Sequence, residues 1–267
     1  MWHRGKSMRS AEGEGDTGRR VLFAWMTNGY WDGSDAVVKA PGLPKDSLSL
    51  PRDMTFAPDG RLLQQFVPEL RSLRVAGAHE RQPLTALSAA APVWLKTAGR
   101  QLELVARFEV SGNASFGLHV LASRSMAEST TIGVDISDDL TFVDRLNSSG
   151  ATPLVPNRGL LDVRAGLLPP DRSAEGAAGG PRAIDIHAIV DGPIVTFIVS
   201  NETALSVYVY PQLQSSGGVA LWTSGAGAGA SPPAVRASAP EDSFFTFNEN
   251  AKLISISRLK KFKNRSN

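Results

Sequence analysis

The chain has 267 residues, 42% hydrophobic and 20% charged, which places it within ordinary globular usage and outside the low-hydrophobicity, high-charge composition of disordered proteins. Lys and Arg total 28 against 26 Asp and Glu, a formal charge of +2, so no general electrostatic pull on nucleic acid is expected. The absence of cysteine removes disulfides, thiolate metal sites and a cysteine nucleophile, and leaves the compartment open.

Residues 1–20 are polar and rich in Gly and Glu, with no apolar central region, and read as a disordered leader, neither signal peptide nor membrane anchor. No later run approaches the roughly 18 apolar residues that span a bilayer, so no membrane partner is expected. An apolar run at 21–26 predicts a strand, and the Gly, Pro, Asp and Ser that punctuate 28–50 predict loop. Two short strands, 53–56 and 61–64, flank Ala57, Pro58, Asp59 and Gly60, a hairpin signal built on a tight Asp-Gly turn. At 67–75, Leu70 and Leu73 follow Pro68 at a spacing of three, which suits one helical turn within a linker over 67–83.

From residue 84 onward the dominant period is two. Leu102, Leu104, Ala106, Phe108 and Val110 share one face of a strand while Glu103, Arg107 and Glu109 share the other. Phe116, Leu118 and Val120 repeat the pattern, and strands are predicted over 129–135 and 140–145, split by Ser137, Asp138 and Asp139. After a Pro/Gly/Ala-rich interruption at 168–181, strands resume over 184–190, 194–199, 205–210 and 219–223. A flexible insert is expected at 224–240, a last strand at 252–259, and a basic tail at 263–267. Arg258, Lys260, Lys261, Lys263 and Arg265 supply much of the pI near 9.0 and read as solvated charge. Short, evenly punctuated strands without intervening long amphipathic helices predict an all-β fold, an antiparallel β-sandwich over 84–262.

Several blocks, taken in order, resemble glycoside hydrolase family 32, which includes invertases, inulinases and levanases. They are Ser-Leu-Pro-Arg at 49–52, Asp-Gly-Arg-Leu-Leu-Gln at 59–64 and Pro-Glu-Leu-Arg-Ser-Leu-Arg at 68–74. Phe-Gly-Leu-His-Val-Leu-Ala-Ser at 116–123, Thr-Thr-Ile-Gly-Val-Asp at 130–135 and Phe-Val-Asp-Arg at 142–145 follow. Ile-His-Ala-Ile-Val-Asp at 186–191 and Tyr-Val-Tyr-Pro at 208–211 complete the series. The resemblance implies the C-terminal part of an architecture that joins a five-bladed β-propeller, which holds the active site, to a β-sandwich. Residues 21–66 would then be the end of the final blade, and a fructose-containing saccharide would be bound by the propeller. The family's Val-Asp-His-Ser…Glu-Val-Phe is replaced here by Val-Asp-Gly-Pro-Ile-Val-Thr-Phe at 190–197.

Retaining glycoside hydrolysis needs two carboxyl groups about 5–5.5 Å apart. The family's nucleophile block, Trp-Met-Asn-Asp-Pro-Asn-Gly, has no counterpart; the stretch from Trp25 to Gly29 shares letters but has no Asp. The family's acid/base is a Glu followed by Cys, which a chain without cysteine lacks. Arg52-Asp53-Met54 imitates the family's Arg-Asp-Pro, yet its setting before the hairpin gives Asp53 a structural reading. No catalytic residue is therefore assigned to this chain, and no cofactor or metal site. His3, His79, His119 and His187 lack metal-ligand spacing, with His119 and His187 on strand positions facing away from the core. The Gly-Ala repeat at 225–230 precedes Pro232 and Pro233, which forbid the helix a dinucleotide site needs, so it reads as linker. Trp94, Tyr208, Tyr210 and Trp222 are candidates for stacking on sugar, weighed against core or interface packing. Asn113, Asn147, Asn201 and Asn264 each begin an Asn-x-Ser/Thr tripeptide. A stand-alone carbohydrate-binding sandwich and a decayed fragment with protease-sensitive edge strands are the competing expectations.

Overall fold

A computed structural model describes residues 6–9, 18–27, 46–80, 83, 85–149, 163–170, 181–224, 234–238 and 244–247. The N-terminal part holds β1 (Lys6–Arg9), β2 (Arg20–Phe23), β3 (Trp25–Thr27), β4 (Asp46–Leu48), β5 (Arg52–Phe56) and β6 (Leu62–Phe66). Four of these make an antiparallel sheet in the order β1-β2-β5-β6, and β3 pairs with β4. The predicted hairpin is β5–β6. Its turn is closed by Ala57 N donating to Arg61 O at 2.9 Å and Gly60 N to Ala57 O at 2.9 Å, with Gly60 at φ 84°, a left-handed position that favours glycine.

Two expectations change here. Residues 6–9 lie inside the expected disordered leader but pair with β2, Met8 opposite Val21; four mostly polar residues carry no period-two signal, so the strand rests on backbone ladder bonds that composition does not reveal. The single strand expected over 21–26 is two, broken at Ala24. There Ala24 N donates to Ser49 Oγ at 3.0 Å and Ser49 N to Ala24 O at 2.7 Å.

A 3-10 helix, Pro68–Leu73, follows β6, which is the predicted helical turn. The remainder of the expected linker is β7 (Arg74–Glu80). Then come β8 (Thr85–Ala86), β9 (Val93–Ala98), β10 (Gln101–Ser111), β11 (Ser115–Ala122), β12 (Thr130–Asp135), β13 (Leu140–Asp144) and β14 (Val163–Leu167). The chain continues through β15 (Arg182–Asp191), β16 (Ile194–Val199), β17 (Thr203–Tyr208), β18 (Gly218–Thr223), β19 (Ala234–Ser238) and β20 (Phe244–Phe247). One sheet runs β17-β16-β15-β10-β19-β8, with β20 also along β10 and β7 beyond it; the other runs β14-β13-β12-β11-β18-β9. The two sheets enclose one core, and the predicted all-β antiparallel sandwich is the fold.

Alternation decides which side chains enter that core. Leu102, Leu104, Ala106, Phe108 and Val110 are all buried, as are Phe116, Leu118 and Val120, and the Phe108 and Phe116 rings meet across the layers at 4.9 Å. Each of these side chains larger than alanine contributes roughly 1.5–3 kcal/mol on burial. The flexible insert expected at 224–240 is corrected over its last residues: β19 pairs with β10 and puts Val235 and Ala237 into the core. The Gly, Ala and Pro before it hide a five-residue alternation. The strand expected over 252–259 and the tail at 263–267 lie outside the described residues.

A second, smaller core joins the N-terminal sheet to the sandwich. Leu50, Phe66, Val67 and Leu70 pack on Ile189 and Ile198, which point away from the main core, so β15 and β16 each bury an isoleucine on the outer face as well. The β16–β17 turn seals this junction. Ser200 and Asn201 both have positive φ, 47° and 61°, in the three-residue connection between the register partners Val199 and Thr203. Asn201 O accepts from Gln64 N at 2.6 Å, Glu202 O accepts from Gln64 Nε2 at 2.8 Å, and the Glu202 carboxylate pairs with Arg61 at 2.6 Å. No described helix is long and apolar enough to cross a membrane.

Candidate functional site

Glycoside chemistry would have to come from carboxyl groups, so their placement is decisive. Asp53 on β5 faces Arg19, whose Nε donates to Oδ1 at 2.5 Å and Nη2 to Oδ2 at 2.8 Å. The same guanidinium donates to Glu69, through Nη2 to Oε2 at 2.8 Å and through Nη1 to Oε1. Two carboxylates thus converge, but a cation occupies the space between them. Arg19 holds Glu69 down to about 2 by its hydrogen bonds, the reverse of the raised value a general acid needs. Arg52, the neighbour in the Arg-Asp-Met imitation, is buried, and burial pushes its guanidinium below the usual arginine range.

Asp191 is a carboxyl that burial pushes upward. Its register partners, Gln101 and Ile194, bring no second acid. Among the described residues no group of three or more His, Asp or Glu gathers as a metal site would require.

The two described histidines have separate settings. His187 Nε2 lies 2.9 Å from Glu103 Oε1, and its ring meets Phe66 edge-on at 4.7 Å, so it belongs to the junction. His119 lies on the outer face of the six-stranded sheet with Nδ1 3.0 Å from Thr131 Oγ1; burial pushes it down to about 4. Trp222 stacks beside it at 5.6 Å and tilts against Phe142 at 6.1 Å. This ring lies over Gly133, where an added Cβ would come within 2.8 Å of Trp222 Cζ2. Its indole N–H is buried without an acceptor among the described residues.

The remaining aromatic candidates are distributed, not gathered. Tyr208 is buried at the junction, donating its hydroxyl to Ser47 Oγ at 2.6 Å, and stacks on Tyr210 at 6.1 Å. Burial pushes the Tyr210 hydroxyl upward. Trp94 on β9 carries the Arg124 guanidinium 4.5 Å above its ring, a cation–π contact. His3 and the side chain of His79 lie outside the described residues.

The burial of two acids is not signalled by the sequence. Glu103 accepts from Arg74 Nε at 2.6 Å and Nη2 at 2.9 Å, besides its contact with His187. Glu128 accepts from the Gln212 and Leu213 amides, the latter at 3.0 Å, and from Ser216 Oγ at 2.6 Å, tying two loops together. Both carboxylates are consumed by structural donors. Nothing marks them in sequence: Glu103 sits at an ordinary outward strand position and Glu128 in a connecting segment.

Residues 69–238 match the family model described as glycosyl hydrolases family 32 C terminal. A direct search of curated proteins gives no match. Among solved structures the chain is similar to a fructosyltransferase from A. japonicus, at 20% identity over 86% of this chain and 40% of that one, with a TM-score of 0.63. It is similar to an exo-inulinase from Aspergillus awamori, at 20% identity over 86% and 40%, TM-score 0.61. It is also similar to fructan 1-exohydrolase IIa from Cichorium intybus, at 14% identity over 92% and 48%, TM-score 0.66. The chain spans less than half the length of each. The sandwich, the order of its motifs and the family match lead to one assignment: the chain belongs to glycosyl hydrolase family 32, through that family's C-terminal domain.

Proposed function

We propose that this chain is the sandwich-bearing portion of a β-fructoside-processing enzyme and does not itself cleave glycosidic bonds. The observation that carries the reading is the family match over residues 69–238, in a chain without the family's nucleophile block or Glu-Cys pair. The carboxylates that do converge, Asp53 and Glu69, are closed by Arg19. The names of the similar structures point to fructose-containing saccharides as the substrate class.

The N-terminal sheet supports a complementary role. Four antiparallel strands are the size of one propeller blade. Phe56 and Leu62, a register pair, are 70% and 39% exposed, and Trp25 and Leu48, another register pair, are 44% and 38% exposed. Those pairs suit packing against neighbouring blades carried by the rest of the enzyme. The rival reading, a sandwich that binds sugar on its own aromatics, has less support. Tyr208 is buried at the junction and the Trp222 N–H is covered.

Sequencing the transcript upstream of the Met1 codon tests the proposal. An in-frame Asn-Asp-Pro-Asn block and a Glu-Cys pair are expected. A transcript that starts at Met1, or an upstream reading frame without either motif, would remove the enzyme from this reading.

A further inference from the structure

We propose that Asn113, Asn147 and Asn201 are acceptors of N-linked oligosaccharide. The inference is independent of the enzymatic reading. Each begins an Asn-x-Ser/Thr tripeptide, the middle residue being Ala114, Ser148 or Glu202 and never proline. With nine asparagines and 40 serines and threonines among 267 residues, chance places one or two such tripeptides in the chain; there are four. The fourth, at Asn264, lies outside the described residues.

Placement supplies the second line of argument. Asn113, Asn147 and Asn201 are all the asparagines among the described residues, and all three are exposed on connections between strands. Asn113 follows Gly112, at φ 83°, where the chain leaves β10 for β11 in the opposite sheet. Asn147 lies in a turn closed by Ser148 N donating to Arg145 O at 2.9 Å, and Asn201 in one closed by Glu202 N donating to Val199 O at 2.9 Å. Both cores lie behind these turns, so a bulky, hydrated saccharide projects into solvent without displacing packed side chains.

The turns at Asn147 and Asn201 are closed by backbone hydrogen bonds, so neither needs the asparagine side chain to hold its shape. Asn147 O accepts from Ser129 N at 2.7 Å and Asn201 O from Gln64 N at 2.6 Å. Oligosaccharyl transfer makes one bond and breaks one. The asparagine Nδ2 attacks the anomeric carbon of a lipid-diphosphate-linked oligosaccharide, the C–N bond forms, the C–O bond to the diphosphate breaks, and the amide proton leaves with the transferase base. The donor is that lipid-linked sugar, and a chain so modified traverses a secretory compartment.

The test is expression of the full chain, carrying Asn264→Gln, behind a cleavable secretion signal in a yeast cell. Peptides are mapped before and after amidase release of N-glycans in 18O water. Glycopeptides spanning all three asparagines are expected, each converted to 18O-labelled aspartate on release. Asn113→Gln, Asn147→Gln and Asn201→Gln should each remove one rung from the gel ladder. Thr203→Ser, which keeps the tripeptide, should keep the Asn201 rung. Recovery of all three peptides unmodified, from medium and cell fraction alike, would overturn the assignment without requiring any variant to fold.

Discussion

Glu103→Gln removes the charge from a carboxylate that is almost wholly buried, 4% exposed at its side chain, while keeping its size. Burial alone would raise this acid, but hydrogen bonds from His187 and Arg74 outweigh it and bring it down to about 2 from 4.5. A depression of that size corresponds to about 3 kcal/mol favouring the folded state when the group is ionised. The sign follows from proton binding: the unfolded chain takes up the proton first, so the stabilisation is complete above about pH 4.5 and disappears as pH falls toward 2. Glutamine loses it at every pH and leaves the Arg74 guanidinium with a neutral acceptor. Urea unfolding at pH 7 should therefore show a loss of about 3 kcal/mol, or roughly 6–12 °C in Tm for a domain of this size. The variant's stability should also fall less steeply than wild type between pH 4.5 and 2.5. A loss under about 1 kcal/mol at pH 7, with an unchanged acid limb, would show that the pair is solvated and that β7 is not pinned to β10 through it.

Gly117→Ala should be among the most damaging single changes, because its Cβ would lie 2.1 Å from Ile132 O and 2.6 Å from Gly133 Cα; a thermal melt should register a loss of roughly 3 kcal/mol or more, and a near-native melt would contradict the β11–β12 register. His119, held down to about 4 by burial, should make the fold weaken as pH falls from 6.5 to 4, by about 2 kcal/mol after discounting for the ring's partial hydration. The window is set by the unfolded histidine charging first, and His119→Gln should flatten that limb in a pH series of denaturant midpoints. Tyr208→Phe removes the 2.6 Å bond to Ser47 Oγ and should cost about 1 kcal/mol, read as faster hydrogen exchange at Trp25–Thr27 with the sandwich amides unchanged. Equal exchange in both proteins would mean that the β3–β4 pair is held by other contacts.

Strand alternation was the most legible feature of the sequence. Leu102 through Val110 and Phe116 through Val120 read as inward faces because one hydrophobic side alternates with one polar side. Where both sides are covered, the rule changes: Ile189 and Ile198 are buried outside the main core, and the nearly unbroken apolar run of β16 carried that information. Short strands were illegible for a different reason. β1, β8 and β14 present too few residues, or too polar a run, for a period to register. Motifs, and the lack of them, were legible in the sequence, which is why no catalytic residue is expected from it. Arg19 was not: its role depends on bringing residue 19 beside residues 53 and 69, a long-range juxtaposition that no local spacing encodes.

The central claim is tested most directly by incubating the purified chain with sucrose, inulin and levan and measuring fructose release. No release above a heat-denatured control is predicted, and Asp53→Asn, whose native partner is Arg19, should leave the reading unchanged. Sustained release by the chain, carried through a final gel-filtration step at constant specific activity, would contradict the account, and its loss in Asp53→Asn would identify the carboxylate responsible.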